Sequence, residues 1–122
     1  MIAFFIKLFL VAFFINLLYE LLHSVLYKTC LDAPLKKYVY LMVKAALFDG
    51  FMIVVIYFLT GNITIFLVVS ALFAYSWELY SLKKDKWEYA KTMPKILGAG
   101  ITPTVQLALT GLASLYIMQV YY

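Results

Sequence analysis

Four long apolar stretches, separated by short polar segments, dominate the chain. They cover residues 2–27, 38–60, 62–82 and 94–121. A helix that crosses the hydrocarbon core of a membrane needs about 20 consecutive, mostly apolar residues. Each stretch is that long, and the short connections force sequential helices to lie side by side and antiparallel. The pattern therefore predicts an all-α fold, a transmembrane four-helix bundle that forms a single membrane domain over residues 1–122.

The composition agrees with this pattern. Of the 122 residues, 66% are hydrophobic and 13% are charged, against about 45–50% and about 25% in an ordinary soluble domain. A soluble protein of this size could not bury so much apolar surface. Lys7 interrupts the first apolar stretch and no small-x-small cleavage site follows, so we interpret that stretch as an uncleaved helix and not as a signal peptide.

The distribution of lysine predicts the orientation. The ten basic residues are all lysine, and most of them lie in the polar segments 28–37 and 83–93. Because cytoplasmic loops carry an excess of basic residues, loops 28–37 and 83–93 are expected in the cytoplasm and both chain ends outside (N-out/C-out). The net charge of +4 then indicates contact of the lysines with anionic lipid headgroups of the lipid bilayer and not binding of nucleic acid. We likewise interpret the basic and aromatic run from Lys83 to Tyr89 as a headgroup anchor.

Five ionisable side chains and two amides fall deep in the predicted spans, and Lys7 is the exception that lies in the outer half. An ionisable group in hydrocarbon costs at least about 2.5–3.5 kcal/mol, so several of them indicate a function or a specific helix contact. At about 1.5 Å of rise per residue, all seven lie in the cytoplasmic half of the membrane or at its centre. We predict that they form a polar intramembrane cluster, with the members Asn16, Glu20, His23, Lys44, Asp49, Glu78 and Gln106.

Spacing along the helices supports a shared interior face. Asn16, Glu20 and His23 are spaced by four and three residues and therefore lie on one stripe of the first helix. Asp49 is the carboxylate that lies deepest in the membrane, and it is the best candidate to bind and release a proton. Lys44 has two interpretations: it extends to the cytoplasmic surface, or it turns inward and neutralises a carboxylate.

Proline marks two further features of the fourth helix. Pro103 removes the hydrogen bond to the carbonyl of Ala99, which predicts a helix kink at Pro103. Pro94 suits the first turn of a helix, where a missing N–H has no cost. Together they predict a helix that begins at residue 94 and bends after its second turn.

A Glu-x-x-His pair, Glu20 and His23, has the spacing used by di-iron carboxylate bundles. The chain has a single histidine, so a metal site would have to be completed by Asp49 and Glu78 or by a second copy. A histidine that only hydrogen-bonds Glu78 or the backbone is the alternative. No serine–histidine–acid arrangement, phosphate-binding glycine loop or zinc pattern is present. The sequence therefore does not identify a cofactor or a catalytic residue.

Several motifs together resemble a group of uncharacterised small bacterial multi-pass membrane proteins. The resemblance rests on Trp87-x-Tyr89, Met93-Pro94 and Gly100-x-x-Pro103-x-x-Gln106, on Glu78 and Asp49, and on Asn16, Tyr19, Glu20, Leu26 and Tyr27 of the first helix. It implies a multi-pass protein of the bacterial inner membrane. It adds weight to the three carboxylates and to Gln106, and it implies no activity.

Three hypotheses on function follow. The first is a small membrane protein whose polar cluster binds a small ligand, an ion or partner helices; a transport path would need a homo-oligomer or a partner membrane protein. The second is an intramembrane enzyme that acts on a lipid-borne substrate at the cytoplasmic face, with Glu20, His23, Asp49 and Glu78 as its acid–base or metal-binding groups. The third is a structural subunit whose polar groups only fix helix register.

Overall fold

The computed structural model describes residues 2–121, and within them it consists of four long helices, one short α-helix, one turn of 3₁₀ helix (Ser24–Leu26) and one small hairpin. The elements are α1 (Ile2–His23), α2 (Lys28–Leu31), α3 (Leu35–Thr60), α4 (Ile63–Lys83), β1 (Lys95–Ile96), β2 (Ala99–Gly100) and α5 (Ile101–Tyr121). The prediction of an all-α fold with four long apolar helices is confirmed. Each long helix is long and apolar enough to cross a membrane.

The four long helices form a ring in the order α1, α3, α4, α5. Phe5 packs against Phe58 with ring centroids 5.6 Å apart, whereas Phe13 lies against Gly50, so α1 and α3 run in opposite directions. Contacts between α1 and α5 and between α4 and α5 show the same antiparallel order. The packing between α3 and α4 is less extensive than in these three pairs.

The two ends of the bundle differ in chemistry. α1 and α4 both finish at one end of the bundle, which we call the 'loop end'. The opposite end contains the α3–α4 connection, and we call it the 'turn end'. The turn half is filled by an apolar core that includes Leu8, Ile53, Phe66, Leu115 and Met118. Large apolar side chains also cover the outer surface of all four long helices, which suits a protein surrounded by lipid.

Local sequence explains where the helices begin and end. α3 begins after Pro34, which stands at its N-cap, and ends at Gly61, whose φ of 61° is the left-handed conformation favoured in glycine. Asn62 caps α4 because its side chain accepts a hydrogen bond from the backbone nitrogen of Ile65 at 3.1 Å. The predicted spans 38–60 and 62–82 therefore agree with the observed helices to within a few residues.

The start of the fourth long helix differs from the prediction. α5 begins at Ile101 and not at Pro94, because Leu97 and Gly98 both adopt positive φ, 50° and 88°, and turn the chain into the β1–β2 hairpin. Pro103 consequently lies in the first turn of α5, where its missing N–H has no partner to lose. Ala99, whose carbonyl was expected to lose a hydrogen bond within the helix, lies before α5, which runs from Ile101 to Tyr121. The kink at Pro103 stays a prediction.

The two segments at the loop end are joined by backbone hydrogen bonds. Lys28 donates to the carbonyl of Glu88 at 2.8 Å, and Ala90 donates to the carbonyl of Leu26 at 2.9 Å. Between these bonds, Tyr27 and Tyr89 form an antiparallel bridge. This pairing fixes the segment that follows α4 against the end of α1, and it directs aromatic side chains towards the interior.

Candidate functional site

A cavity of about 430 Å³ lies between α3 and α4 in the loop half of the bundle. The two helices are joined by a tight turn at one end and pack loosely, which leaves space between them. Carboxylates, aromatic rings and two lysines contribute to the walls. They include Glu20, Asp49 and Glu78, Tyr27, Phe48, Phe73, Trp77 and Trp87, and Lys44 and Lys86.

Gln106 of α5 connects three polar side chains that the sequence placed in one cluster. Its Nε2 lies 2.8 Å from Glu20 Oε1, 2.8 Å from Asp49 Oδ2 and 3.0 Å from Asn16 Oδ1. A primary amide nitrogen carries two hydrogens, so the three acceptors share two donated bonds. α1, α3 and α5 thus meet at this amide, deep in the bundle.

The same geometry brings two carboxyl groups together. Because Glu20 Oε1 and Asp49 Oδ2 each lie 2.8 Å from Gln106 Nε2, they are within about twice that distance of each other. Two negative charges so close in a low-dielectric interior repel strongly, whereas one shared proton removes the repulsion. A positive group close to the pair would relieve the same repulsion. The sequence suggested only Asp49 as a group that binds and releases a proton.

His23 is held at both ring nitrogens. Nε2 lies 2.9 Å from Glu20 Oε2, and Nδ1 lies 3.1 Å from Thr102 Oγ1 on α5. Tyr19 donates to the backbone carbonyl of Thr102, so the end of α1 is bonded to the first turn of α5. Towards the centre the polar seam continues through Thr110, which donates to Asn16 Oδ1 at 3.0 Å.

Glu78 is enclosed by three donors that all reach the same oxygen. Its Oε1 accepts hydrogen bonds from Tyr27 Oη at 3.0 Å, Trp87 Nε1 at 2.8 Å and Tyr89 Oη at 2.6 Å. Burial, followed by the charge of Glu78, raises the pKa of the Tyr27 phenol, and burial and the Glu78 hydrogen bond raise the pKa of Tyr89. Both phenols therefore remain neutral donors at physiological pH.

Sequence reasoning missed this arrangement around Glu78. It placed Trp87 and Tyr89 at the membrane surface as headgroup anchors, whereas their polar atoms point to Glu78 inside the bundle. The available signal was the Trp-x-Tyr spacing, which places two hydrogen-bonding aromatic residues on one face of an extended segment.

The lysines near the cavity are exposed and lie at its rim. Lys44 Nζ is 5.7 Å from the centre of the Tyr40 ring, and Lys86 Nζ is 4.4 Å from the centre of the Trp77 ring. Within residues 2–121 the ion pairs are His23 with Glu20 and Lys28 with Glu88. Lys44 therefore extends to the surface and does not turn inward to neutralise a carboxylate.

The four candidate metal ligands do not form a metal site. Glu20 and His23 bond to each other, and Glu78 is surrounded by donors and not by further ligands. Across the described part of the chain, no three histidine, cysteine, aspartate or glutamate side chains are arranged to hold a metal ion. The hypothesis of a site formed by Glu20, His23, Asp49 and Glu78 gains no support from this geometry.

No known protein family, curated protein or solved structure matches the chain. The resemblance to small bacterial membrane proteins therefore stays a prediction. The function has to be argued from the cavity and from the side chains that line it.

Proposed function

We propose that this is a multi-pass protein of the bacterial inner membrane that binds a small molecule in the cavity between α3 and α4. Four apolar helices of spanning length support the membrane location. The lysines at the loop end support an orientation with that end in the cytoplasm and both chain ends outside. The cavity would then lie in the cytoplasmic half of the bilayer.

The single observation that carries the proposal is a largely apolar cavity with a few fixed polar groups. Small-molecule sites typically enclose about 300–1,000 Å³ and combine apolar walls with a few polar groups that orient the ligand. The cavity of about 430 Å³ fits that description. Asp49 is oriented by Gln106, and Glu78 is oriented by its three donors, so both carboxyl groups are held in position before a ligand enters.

Ligand binding explains this volume better than the two other hypotheses. Polar groups that only fix helix register would pack against each other, as Asn16 and Thr110 do. An acid–base or metal-dependent enzyme would need a reactive group free to act, and His23 is bonded at both ring nitrogens. The unfilled space beside Asp49 and Glu78 is what distinguishes a binding site.

The two tryptophans of the chain provide a direct test, because Trp77 and Trp87 both line the cavity. The protein is reconstituted in phosphatidylcholine nanodiscs and titrated with 4-bromobenzyl alcohol, whose bromine quenches tryptophan fluorescence on contact. We expect saturable quenching in the natural sequence. Ala45→Phe, which fills the cavity from α3, should abolish the saturable component.

A matched variant distinguishes occupancy from a general disturbance. Ala71 lies on α4 outside the cavity lining, so Ala71→Phe adds the same bulk elsewhere and should leave the quenching curve unchanged. Quenching that only rises linearly with probe concentration, or that is equal in both variants, would show that the probe does not enter the cavity and would refute the proposed binding.

A further inference from the structure

We infer that the cavity selects an organic cation, meaning a protonated amine or a quaternary ammonium group attached to an apolar body. This inference rests on the proposed function, since it names the class of molecule that the same cavity binds. It is carried by the carboxyl groups in the cavity wall, by the aromatic rings that line the same cavity and by the positions of the nearby lysines.

The carboxyl groups of the cavity lack a lysine partner. Three carboxyl groups line it, those of Glu20, Asp49 and Glu78. Of these three, Glu20 alone forms an ion pair within residues 2–121, and its partner is His23, which is positive only when protonated. A charge enclosed in a protein interior is stabilised by a countercharge. A ligand with a positive group would supply one to Asp49 or Glu78.

Glu78 is arranged as an anion. Three O–H and N–H donors converge on its Oε1, and a carboxylate accepts several such bonds more readily than a neutral carboxylic acid does. The donors are neutral groups, so they hold the negative charge in place without cancelling it. Only 3% of Glu78 is exposed, so bulk water does little to screen that charge.

Aromatic rings line the same cavity. The rings of Phe48 and Trp77 are stacked with centroids 5.0 Å apart, and Phe73 continues the stack against Trp77 at 6.2 Å. The face of an aromatic ring attracts ammonium groups. The Lys86 ammonium already lies 4.4 Å from the Trp77 centroid, which shows that this ring is placed where a cation can approach it.

The lysines at the rim would favour an anionic ligand, so the experiment has to distinguish binding of an anion from binding of a cation. Lys44 and Lys86 are directed at the rings of Tyr40 and Trp77, and within residues 2–121 neither pairs with a carboxylate. If their charge governed the site, an anion of the same shape would bind best. If the carboxylates inside govern it, the cation binds best.

Three probes that share a 4-bromophenyl body and differ in the charge of the head group decide between these outcomes. They are (4-bromobenzyl)trimethylammonium, neutral 4-bromobenzyl alcohol and anionic 4-bromobenzenesulfonate, each measured by tryptophan quenching in phosphatidylcholine nanodiscs. We expect the ammonium probe to bind about tenfold more tightly than the alcohol. The sulfonate should bind more weakly than the alcohol.

Isosteric removal of each charge locates the selectivity. Glu78→Gln keeps an oxygen for its three donors, and Asp49→Asn keeps an oxygen for Gln106. Within each variant, the ratio of the affinity for the ammonium probe to the affinity for the alcohol should fall towards one. Asp85→Asn is the matched control, because Asp85 lies in the exposed loop after α4 and asparagine tolerates its φ of 55°.

The outcomes separate this inference from the proposed function. Saturable binding of the alcohol with no preference for the ammonium probe, or tightest binding of the sulfonate, would overturn cation selectivity and leave the binding function standing. Absence of saturable quenching by all three probes would overturn both. Should Glu78→Gln fail to fold, Asp49→Asn alone decides, and an undiminished preference in that variant refutes the inference.

Discussion

Gln106 shows how one side chain can determine the positions of several others. Its amide nitrogen lies within hydrogen-bond distance of Asn16, Glu20 and Asp49, which come from two different helices. Buried acceptors without a donor cost about 1–3 kcal/mol each, so this one amide favours a single rotation of α1 and α3 relative to α5. Glu78, by contrast, depends on donors from outside the spans.

Cys30 offers a measurement at the residue scale, because it is the single cysteine and lines the cavity. Burial, followed by the negative charge of Glu20, raises the pKa of its thiol. Since only the thiolate reacts with iodoacetamide, alkylation of the folded protein should begin at higher pH than alkylation of the denatured chain. The pH midpoint of the alkylation rate measures this difference.

Two variants identify the cause of that shift. Glu20→Gln removes the negative charge and should lower the midpoint towards that of the denatured chain without reaching it, because burial remains. Glu88→Gln removes an exposed carboxylate and should leave the midpoint in place. Equal midpoints for the folded and denatured protein would contradict the structure around Cys30.

At the scale of elements, close approach of α4 and α5 depends on Gly111. A Cβ atom at this position would meet the ring of Phe66, which is fully buried in the turn half of the bundle. Ring and helix backbone are therefore in direct contact, and helices without Cβ atoms at the seam can approach closely.

Gly111→Ala should destabilise the protein by about 1–3 kcal/mol, because the new methyl group overpacks a filled site. The measurement is the midpoint of thermal unfolding in detergent. Phe66→Leu makes room, so in a double-mutant cycle the cost of Gly111→Ala should be smaller in the Phe66→Leu background. Strict additivity of the two substitutions would show that Gly111 and Phe66 are not in contact.

The segment between α4 and α5 is an element that contributes to the site. The β1–β2 hairpin brings Gly100 to Tyr89, whose hydroxyl accepts a hydrogen bond from the Gly100 nitrogen at 2.8 Å and donates one to Glu78. An unbroken helix from residue 94 would not allow this contact. The hairpin therefore helps to fix the donors that surround Glu78.

At the scale of the whole molecule, the two halves of the bundle differ in polarity. The turn half is an apolar core, whereas the loop half contains the cavity and its carboxylates. In the proposed orientation the cavity would face the cytoplasmic side and would be closed towards the outside. This favours a binding site reached from the cytoplasm or the inner leaflet over a continuous pore.

Thiol labelling tests that orientation. A membrane-impermeant maleimide should leave Cys30 unmodified in intact bacterial cells and modify it in inside-out vesicles, because loop 28–37 would be cytoplasmic. The opposite pattern is expected for Thr60→Cys in a Cys30→Ser background, since Thr60 ends α3 at the turn end. Labelling of Cys30 in intact cells would reverse the proposed topology.

Most of the fold could be predicted from the sequence. The four apolar stretches, their approximate limits and the polar residues inside them are local properties, because a helix in lipid satisfies its backbone hydrogen bonds within its own segment. The convergence of Asn16, Asp49 and Gln106 was also foreseeable in part, since these three lie at similar predicted depth near the membrane centre, and Glu20 lies one helical turn from Asn16 on the same stripe.

Other features depended on contacts between distant residues, and only the tertiary structure decided them. Hydropathy gives the length of a helix, but its rotation is set by packing against its neighbours. This is why the bond between His23 and Thr102 and the exposed position of Lys44 were decided only by the tertiary structure. The cage around Glu78 depends on donors that reach it only after Tyr27 and Tyr89 are paired. The sequence alone thus determined the four apolar helices and the polar residues that they carry, whereas packing and loop pairing determined which of these residues lie inside the bundle and which share the cavity.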